Sequence, residues 1–350
     1  MTHTCHPINM SFMFSALSRL FSVVLHPRPY SSSLLWCVLL SSAEMIRKRI
    51  DNAAILLMVV ICGVWGSQQV AIKAAAADMS PFLQVGLRSA IAALFIGVLF
   101  QRRDNIFGRL RDRNIAKMGA IVGLLFALEF VLVSIGITLT TASHMALYLY
   151  TAPLFSAIGL HFLLPEERLS RLQWCGLAIA FLGIAIAVTM VPQNGNTQWS
   201  LTGDLCGLFA GMAWGASSVA IRCSRLATIP SPCTLFYQLA TTALILLLIG
   251  LMLGETTVQL TTVLVMSLTF QTVIVAFLSY LIWFTLLRYY HVASLGTLIL
   301  MTPAMGIIAG VLFLGESLQP AFIAGALLIL IGLLCVSLPP SANLRRLSRL

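Results

Sequence analysis

Runs of about twenty apolar residues recur along this chain of 350 residues, and short polar segments separate them. A helix of this length crosses the hydrocarbon core of a bilayer and satisfies its own backbone hydrogen bonds. Strands of a membrane barrel would be shorter and would alternate polar with apolar residues, which these runs do not. The sequence therefore predicts an all-α integral membrane protein. The ten predicted spans cover residues 53–73, 82–100, 115–137, 143–163, 172–191, 203–222, 233–252, 262–286, 293–313 and 321–338.

Charged residues make up 9% of the chain, against about 25% in a typical soluble domain. This scarcity excludes an ordinary soluble enzyme and a disordered chain. The net charge of +10 does not indicate nucleic-acid binding, because the basic residues lie in short clusters between apolar runs. Of the basic residues that flank the spans, only Lys73 lies on the side opposite the others. The positive-inside rule therefore predicts that both termini are cytoplasmic. The expected location is the inner membrane.

Sequence landmarks of the first five spans recur about 150 residues later, in register over both halves of the chain. Because each half has five spans, an odd number, the second half must enter the membrane from the opposite side. The fold prediction is therefore ten transmembrane helices arranged as two inverted five-helix repeats, a pattern typical of secondary transporters that work by alternating access. The matching pairs are Trp65–Lys73 with Trp214–Arg222, Ser80-Pro81 with Ser231-Pro232, Ala142-Ser143 with Ala293-Ser294, Pro153 with Pro303, and Glu167 with Glu316.

These duplicated features resemble the EamA repeat of the drug/metabolite transporter superfamily: Trp-Gly within a span, Pro within the fourth and ninth spans, and Glu-x-Leu followed by Gly. The resemblance covers residues 53–338 and implies ten helices, cytoplasmic ends, and export or exchange of small organic metabolites. One departure is Pro165-Glu166 before Glu167, where the family usually has Gly-Glu, as in Gly315-Glu316.

The repeat divides the chain into five predicted regions. Residues 1–51 form an N-terminal extension, and Met45, which begins Met-Ile-Arg-Lys-Arg, is an alternative translation start. Residues 52–191 form the first repeat, 192–202 a periplasmic linker, 203–338 the second repeat, and 339–350 a basic cytoplasmic tail. The eight cysteines contain no Cys-x-x-Cys pair, so the sequence predicts no metal site, and we expect no cofactor.

Two charged residues lie within predicted spans, where charge is expensive and usually faces a partner or a wet cavity. Arg88 lies about 9 Å and Glu129 about 12 Å from the outer ends of their spans, at 1.5 Å per residue. They could form a structural ion pair, or they could contact a zwitterionic or charged substrate. Glu129 and His144 are candidates for proton coupling; the alternative for His144 is simple solvation near the membrane interface.

Pro153 and Pro303 predict kinks, which serve either a cavity or packing alone. Trp65 and Trp214 lie in mid-span, away from the interfacial belt, and they either line a cavity or pack helices together. Glu167 and Glu316 are predicted to cap the helix that follows each of them. The remaining candidate cavity residues are polar or aromatic: Gln68, Gln69, Tyr148, Tyr150, Thr151, Ser217, Ser218, Tyr280 and Trp283.

The function predicted from these features is a secondary exporter of small organic metabolites, such as amino acids, rather than an enzyme. No phosphate-binding loop or catalytic motif is present in the sequence. The alternatives are a nucleotide-sugar or phosphorylated-metabolite exchanger of the same superfamily, and a membrane sensor that does not transport. The expected partners are a small-molecule substrate and the lipid bilayer, with no nucleic acid. Glycines at every fourth position of the sixth span, Gly203 to Gly215, predict close helix packing or a homodimer contact.

Overall fold

A computed structural model describes residues 51–109, 112–189, 200–280 and 292–338, together with isolated positions between 282 and 290. The predicted N-terminal extension up to residue 50, the alternative start, most of the linker and the basic tail lie outside these residues.

Ten helices in the described residues are long and apolar enough to cross a membrane. We number them spans 1 to 10 in chain order. The predicted fold class is confirmed, with ten apolar helices in two repeated halves. The spans are Asn52–Ala74, Pro81–Gln101, Arg113–Leu139, Ala142–Leu163, Arg171–Val188, Leu201–Arg222, Ser231–Met252, Thr262–Ser279, Leu295–Leu314 and Pro320–Ser337.

The polar residues between apolar runs start the helices. The Ser80 hydroxyl accepts a hydrogen bond from the backbone N–H of Phe82, at the start of span 2. At the start of span 3, the Asp112 carboxylate accepts a hydrogen bond from the backbone N–H of Asn114. At the start of span 4, the Thr141 hydroxyl accepts one from the backbone N–H of His144. Such N-caps satisfy backbone donors that a helix leaves unpaired at its first turn.

Spans 4 and 9 are each broken in the middle, at the predicted prolines. Span 4 consists of Ala142–Leu149 and Ala152–Leu163, and span 9 is broken between Val292–Ile299 and Thr302–Leu314. Proline lacks the backbone donor that would continue the helix, so carbonyls of the preceding turn lose their partners. In each span, the hydroxyl of a threonine beside the break donates to the carbonyl three residues earlier in the chain.

The hydrogen bond from the Thr151 hydroxyl to the Tyr148 carbonyl measures 2.5 Å, and that from the Thr302 hydroxyl to the Ile299 carbonyl measures 2.6 Å.

The Trp-Gly pair of each half packs against the broken span of the other half. A Cβ atom at Gly66 in span 1 would lie 2.8 Å from the carbonyl oxygen of Thr302, at the break of span 9. A Cβ atom at Gly215 in span 6 would lie 2.9 Å from the carbonyl oxygen of Ala152, at the break of span 4. Both glycines therefore allow an approach that a larger residue would block, and the two contacts are equivalent by the internal repeat.

The same reciprocity governs the wider packing of the helices. Span 1 packs on span 9 and span 6 on span 4, while spans 2 and 7 pair with each other, as do spans 5 and 10. The predicted packing face of span 6 lies against span 4, with Gly207 beside Tyr148 and Gly211 beside the carbonyls of Tyr148 and Leu149. Each half therefore depends on the other for burial.

Span 8 departs from the regular α-helix expected from its sequence. It begins as an α-helix over Thr262–Thr269 and continues as a π-helix over Phe270–Ser279. π-Helices are wider than α-helices and rare, and those that do occur are often found at functional sites. Here it ends beside Trp65, whose indole N–H donates to the Ser279 hydroxyl at 2.6 Å.

Candidate functional site

Arg88 and Glu129, the two charged residues predicted inside spans 2 and 3, lie buried in the middle of the protein. Arg88 is 4% and Glu129 3% exposed. The Arg88 guanidinium carbon lies 4.8 Å from the centre of the Phe130 ring. Among the described residues, Arg88 Nη1 and Glu129 Oε2 have no hydrogen-bond partner, and no direct ion pair joins the two side chains. Buried charges without hydrogen bonds are costly, which is a reason to look for a ligand.

Five aromatic side chains gather in one cluster: Trp65, Tyr150 and Trp214 in spans 1, 4 and 6, and Tyr280 and Trp283 just after span 8. The ring centre of Trp65 lies 5.6 Å from that of Tyr280 and 5.8 Å from that of Trp283. Tyr150 and Trp214 pack edge to face at 5.3 Å. Both tyrosines lie within electrostatic reach of the charged pair. We call these seven residues, Arg88 and Glu129 included, the central cluster.

A cavity of about 770 Å³ approaches the central cluster from one end of the protein. Its walls include Pro153 and Ser156 in span 4 and Trp214 and Ser218 in span 6, and its mouth includes the loop after span 4. Its size suits a small organic molecule. Following the predicted orientation, we call this end the inner end, and the end that holds Lys73 the outer end.

The other predicted cavity residues differ in what they contact. Ser218 lines the cavity and donates to the Trp214 carbonyl at 3.1 Å, while Pro303 is buried at the span 9 break. Gln69 is fully buried, and neither of its amide atoms has a hydrogen-bond partner among the described residues. Ser217 accepts a hydrogen bond from Gln238 at 3.3 Å, and Gln68 is half-buried.

The outer end is closed by a carboxylate that reaches from one half to the other. Glu316, in the loop after span 9, is 4% exposed. It accepts hydrogen bonds from the backbone N–H of Ala142 at 2.6 Å, the N–H of Ser143 at 2.9 Å and the Ser143 hydroxyl at 2.6 Å. The prediction that Glu316 caps the following helix is wrong. It caps span 4, because the fold brings that N-terminus to the loop after span 9.

Glu167, the counterpart of Glu316, lies at the inner end and makes a different contact. It accepts a hydrogen bond from Arg222 Nε at 2.7 Å, and both side chains are substantially exposed. The predicted cap of the following helix is replaced here by a surface ion pair beside the mouth of the cavity.

A second buried polar group lies at the outer end. His144 Nδ1 lies 3.0 Å and 2.9 Å from the two carboxylate oxygens of Asp204, the fourth residue of span 6. The Thr140 hydroxyl donates to Asp204 Oδ1 at 2.6 Å. The alternative of a solvated His144 is therefore wrong, since His144 is 3% and Asp204 0% exposed. Nothing in the sequence singles out Asp204, which on its own looks like an acidic residue placed in a first helical turn.

Two further polar contacts join residues that lie far apart in the sequence, and the sequence alone does not predict them. The Lys73 ammonium donates to the carbonyl of Ile137 at 3.2 Å and to that of Thr140, so it satisfies the end of span 3. The Gln271 amide of span 8 donates to the Gln84 side chain of span 2 at 3.0 Å.

This arrangement defines a multi-pass membrane protein built from two interlocked repeats, closed by polar contacts at one end and opened by a cavity at the other. The EamA-like transporter family model matches residues 52–189 and 201–338. The chain belongs to the EamA-like transporter family.

Curated relatives match along most of the chain. A probable amino-acid metabolite efflux pump of Salmonella typhimurium is 28% identical and covers 81% of this chain and 94% of its own length. The Escherichia coli protein of the same description is 26% identical over the same shares, and the uncharacterized transporter YoaV of Bacillus subtilis is 24% identical, covering 77% and 91%. One crystal structure, 20% identical, matches with a TM-score of 0.58 over 86% of this chain and 99% of its own, which supports the fold alone.

Proposed function

We propose that this protein is a secondary transporter that exports small organic metabolites, amino acids among them, across the inner membrane by alternating access. The observation that carries the proposal is the cavity of about 770 Å³, which leads from the inner end to Trp214 and the span 4 break. The basic residues favour a cytoplasmic inner end. Substrate would then enter from the cytoplasm.

The central cluster supports a zwitterionic substrate. Arg88 offers a guanidinium N–H to a carboxylate, and Glu129 offers a carboxylate oxygen to an ammonium group; both atoms lack a hydrogen-bond partner among the described residues. The aromatic rings provide apolar faces for a side chain and can also contact a cation. The names of the Salmonella and Escherichia relatives point to the same substrate class.

Alternating access would exchange the contacts at the two ends. The internal repeat pairs Glu316 with Glu167 and Lys73 with Arg222, while the N-terminus of span 4 at Ala142 corresponds to that of span 9 at Ala293. In the outward-open state, we expect Glu316 to leave span 4 and pair with Lys73. Glu167 would then leave Arg222 and cap the first turn of span 9. Each carboxylate therefore keeps a hydrogen-bonding partner in both states, which limits the cost of burying its charge.

The structure gives less support to the alternative function, exchange of nucleotide sugars or phosphorylated metabolites. Such substrates carry several negative charges and call for several cationic groups. Within the described part of the chain, the central cluster contributes a single arginine, and Glu129 beside it would repel a phosphate.

The test is untargeted metabolite profiling of the medium of cells that produce the protein, the Glu129→Gln variant, or an empty vector. We expect one or more amino acids or related zwitterions to accumulate outside only with the unaltered protein. A Glu255→Gln variant, changed at an exposed loop carboxylate, should export normally. Identical media from all producers and the empty vector, at equal membrane abundance, would contradict the proposal.

A further inference from the structure

The His144–Asp204 pair is a buried, titratable group that the central cluster does not use. It connects the first turn of span 4 with the first turn of span 6, and hence one half of the protein with the other. Asp204 lies about 5 Å below the outer end of its span, at 1.5 Å per residue. Ionisable residues within membrane spans are rare and commonly mark ion or proton pathways.

The chemistry of the pair suits one exchangeable proton. A carboxylate that bonds to Nδ1 orients the imidazole so that Nδ1–H donates to it, and Nε2 then becomes the position that gains or loses a proton. Binding that proton changes the net charge of the pair from −1 to 0. Imidazole is the side chain whose ordinary range of titration spans physiological pH.

The surroundings place this charge change at the closed end of the transporter. The ring of Phe322 in span 10 stacks on His144 at 3.9 Å, and the Tyr148 hydroxyl faces Asp204. Two charged groups face the start of span 4. Lys73 donates a hydrogen bond to the Thr140 carbonyl, and Glu316 accepts hydrogen bonds from the backbone N–H groups of Ala142 and Ser143.

The pair also connects to the substrate path through span 4. His144 lies six residues before Tyr150 on the same broken span, and Tyr150 packs against Trp214 at the end of the cavity. A change in the position of the first segment, Ala142–Leu149, would therefore alter both the outer closure and the central cluster.

We propose that His144 and Asp204 form the proton-binding site that couples export to the proton gradient, with uptake from the outer side as the outer end opens. This inference rests on the proposed transport function. It assigns the coupling to the outer-end pair and leaves Glu129 as a substrate contact.

The experiment uses the full chain in proteoliposomes with an isotope-labelled mixture of the twenty amino acids as the probe. Two modes are compared at zero membrane potential: accumulation driven by a pH gradient, and exchange of labelled for unlabelled amino acids without a gradient. A gradient of one pH unit drives at most about tenfold accumulation when one proton moves per substrate.

With the unaltered protein we expect gradient-driven accumulation of up to about tenfold, and with Asp204→Asn or His144→Gln we expect none. Both variants should still exchange labelled for unlabelled amino acids, at a rate that no longer depends on pH. Asp204→Glu should recover part of the accumulation. Asp78→Asn, at an outer-end carboxylate that bonds to the Thr261 hydroxyl at 2.5 Å, is the matched control and should retain both modes.

Three results would overturn the inference. They are gradient-driven accumulation by Asp204→Asn at the unaltered level, loss of both modes in Asp204→Asn and Asp204→Glu, and exchange by the unaltered protein with no gradient-driven accumulation. Absence of transport in either mode by the unaltered protein would instead contradict the proposed function itself.

Discussion

The outer and inner ends of this protein are built from the same repeated sequence but make different contacts. At the outer end, the Glu316 carboxylate is buried and accepts three hydrogen bonds from the start of span 4. At the inner end, its counterpart Glu167 forms an exposed ion pair beside a cavity. The difference shows that one sequence pattern supports both a closed and an open arrangement, and alternating access requires this capacity.

The largest expected loss of stability is that of Glu316→Ala, and it should clearly exceed the loss in Glu167→Ala. Glu316→Ala leaves two backbone N–H groups and a hydroxyl buried without their carboxylate, which should lower the free energy of unfolding by about 3 kcal/mol. Glu167→Ala removes a surface ion pair and should lower it by less than about 1 kcal/mol. Denaturant unfolding in detergent micelles measures both. Equal losses would show that the ends do not differ as described.

A smaller effect is expected at the mid-span Trp-Gly contacts, where the two halves of the chain should respond alike. A Cβ atom at Gly66 would lie 2.6 Å from the backbone nitrogen of Gly306, so Gly66→Ala must displace backbone. We expect Gly66→Ala and Gly215→Ala each to cost about 2 kcal/mol of unfolding free energy.

The matched control for these variants is Gly63→Ala on the same helix, where a Cβ atom meets nothing within 4 Å. A Gly63→Ala variant that is destabilised as much as Gly66→Ala would mean that helix propensity, and not the contact with span 9, accounts for the loss.

The smallest effect concerns the two basic counterparts. Lys73→Met removes donors from the carbonyls at the end of span 3 and should cost about 1 kcal/mol. Arg222→Met, whose partner contact is exposed, should be nearly neutral. Thermal unfolding of the two variants side by side checks the order, and a larger loss for Arg222→Met would reverse the assignment of the closed end.

Most of the fold was predictable because it follows from local features of the sequence. Run lengths predict the ten spans, and Pro153 and Pro303 predict the breaks in spans 4 and 9. The duplicated landmarks predict the two halves. The π-helical part of span 8 was not predictable, because nothing in its apolar sequence distinguishes it from an α-helix.

The site was predictable only in part, because its partners lie far apart in the chain. Arg88 and Glu129 stand out because a charge is costly within a membrane, and the mid-span tryptophans because they are rare there. The structure buries both charged residues and places the two tryptophans in one aromatic cluster with Tyr150 and Tyr280. The sequence alone predicts that Glu316 caps the helix next to it, whereas its actual partner, Ser143, lies 173 residues away. The role of Asp204 is not predictable for the same reason, since only the fold brings His144 to it.

The most direct test of alternating access measures the accessibility of both ends in one experiment. Ser218→Cys reports on the inner cavity and Ser143→Cys on the outer closure, each in a chain without its native cysteines and labelled by a membrane-impermeant maleimide from its own side. Alternating access predicts reciprocal changes when the amino-acid mixture is added, with one position gaining reactivity as the other loses it. Reactivity that changes at only one end, or in the same direction at both, would contradict alternating access.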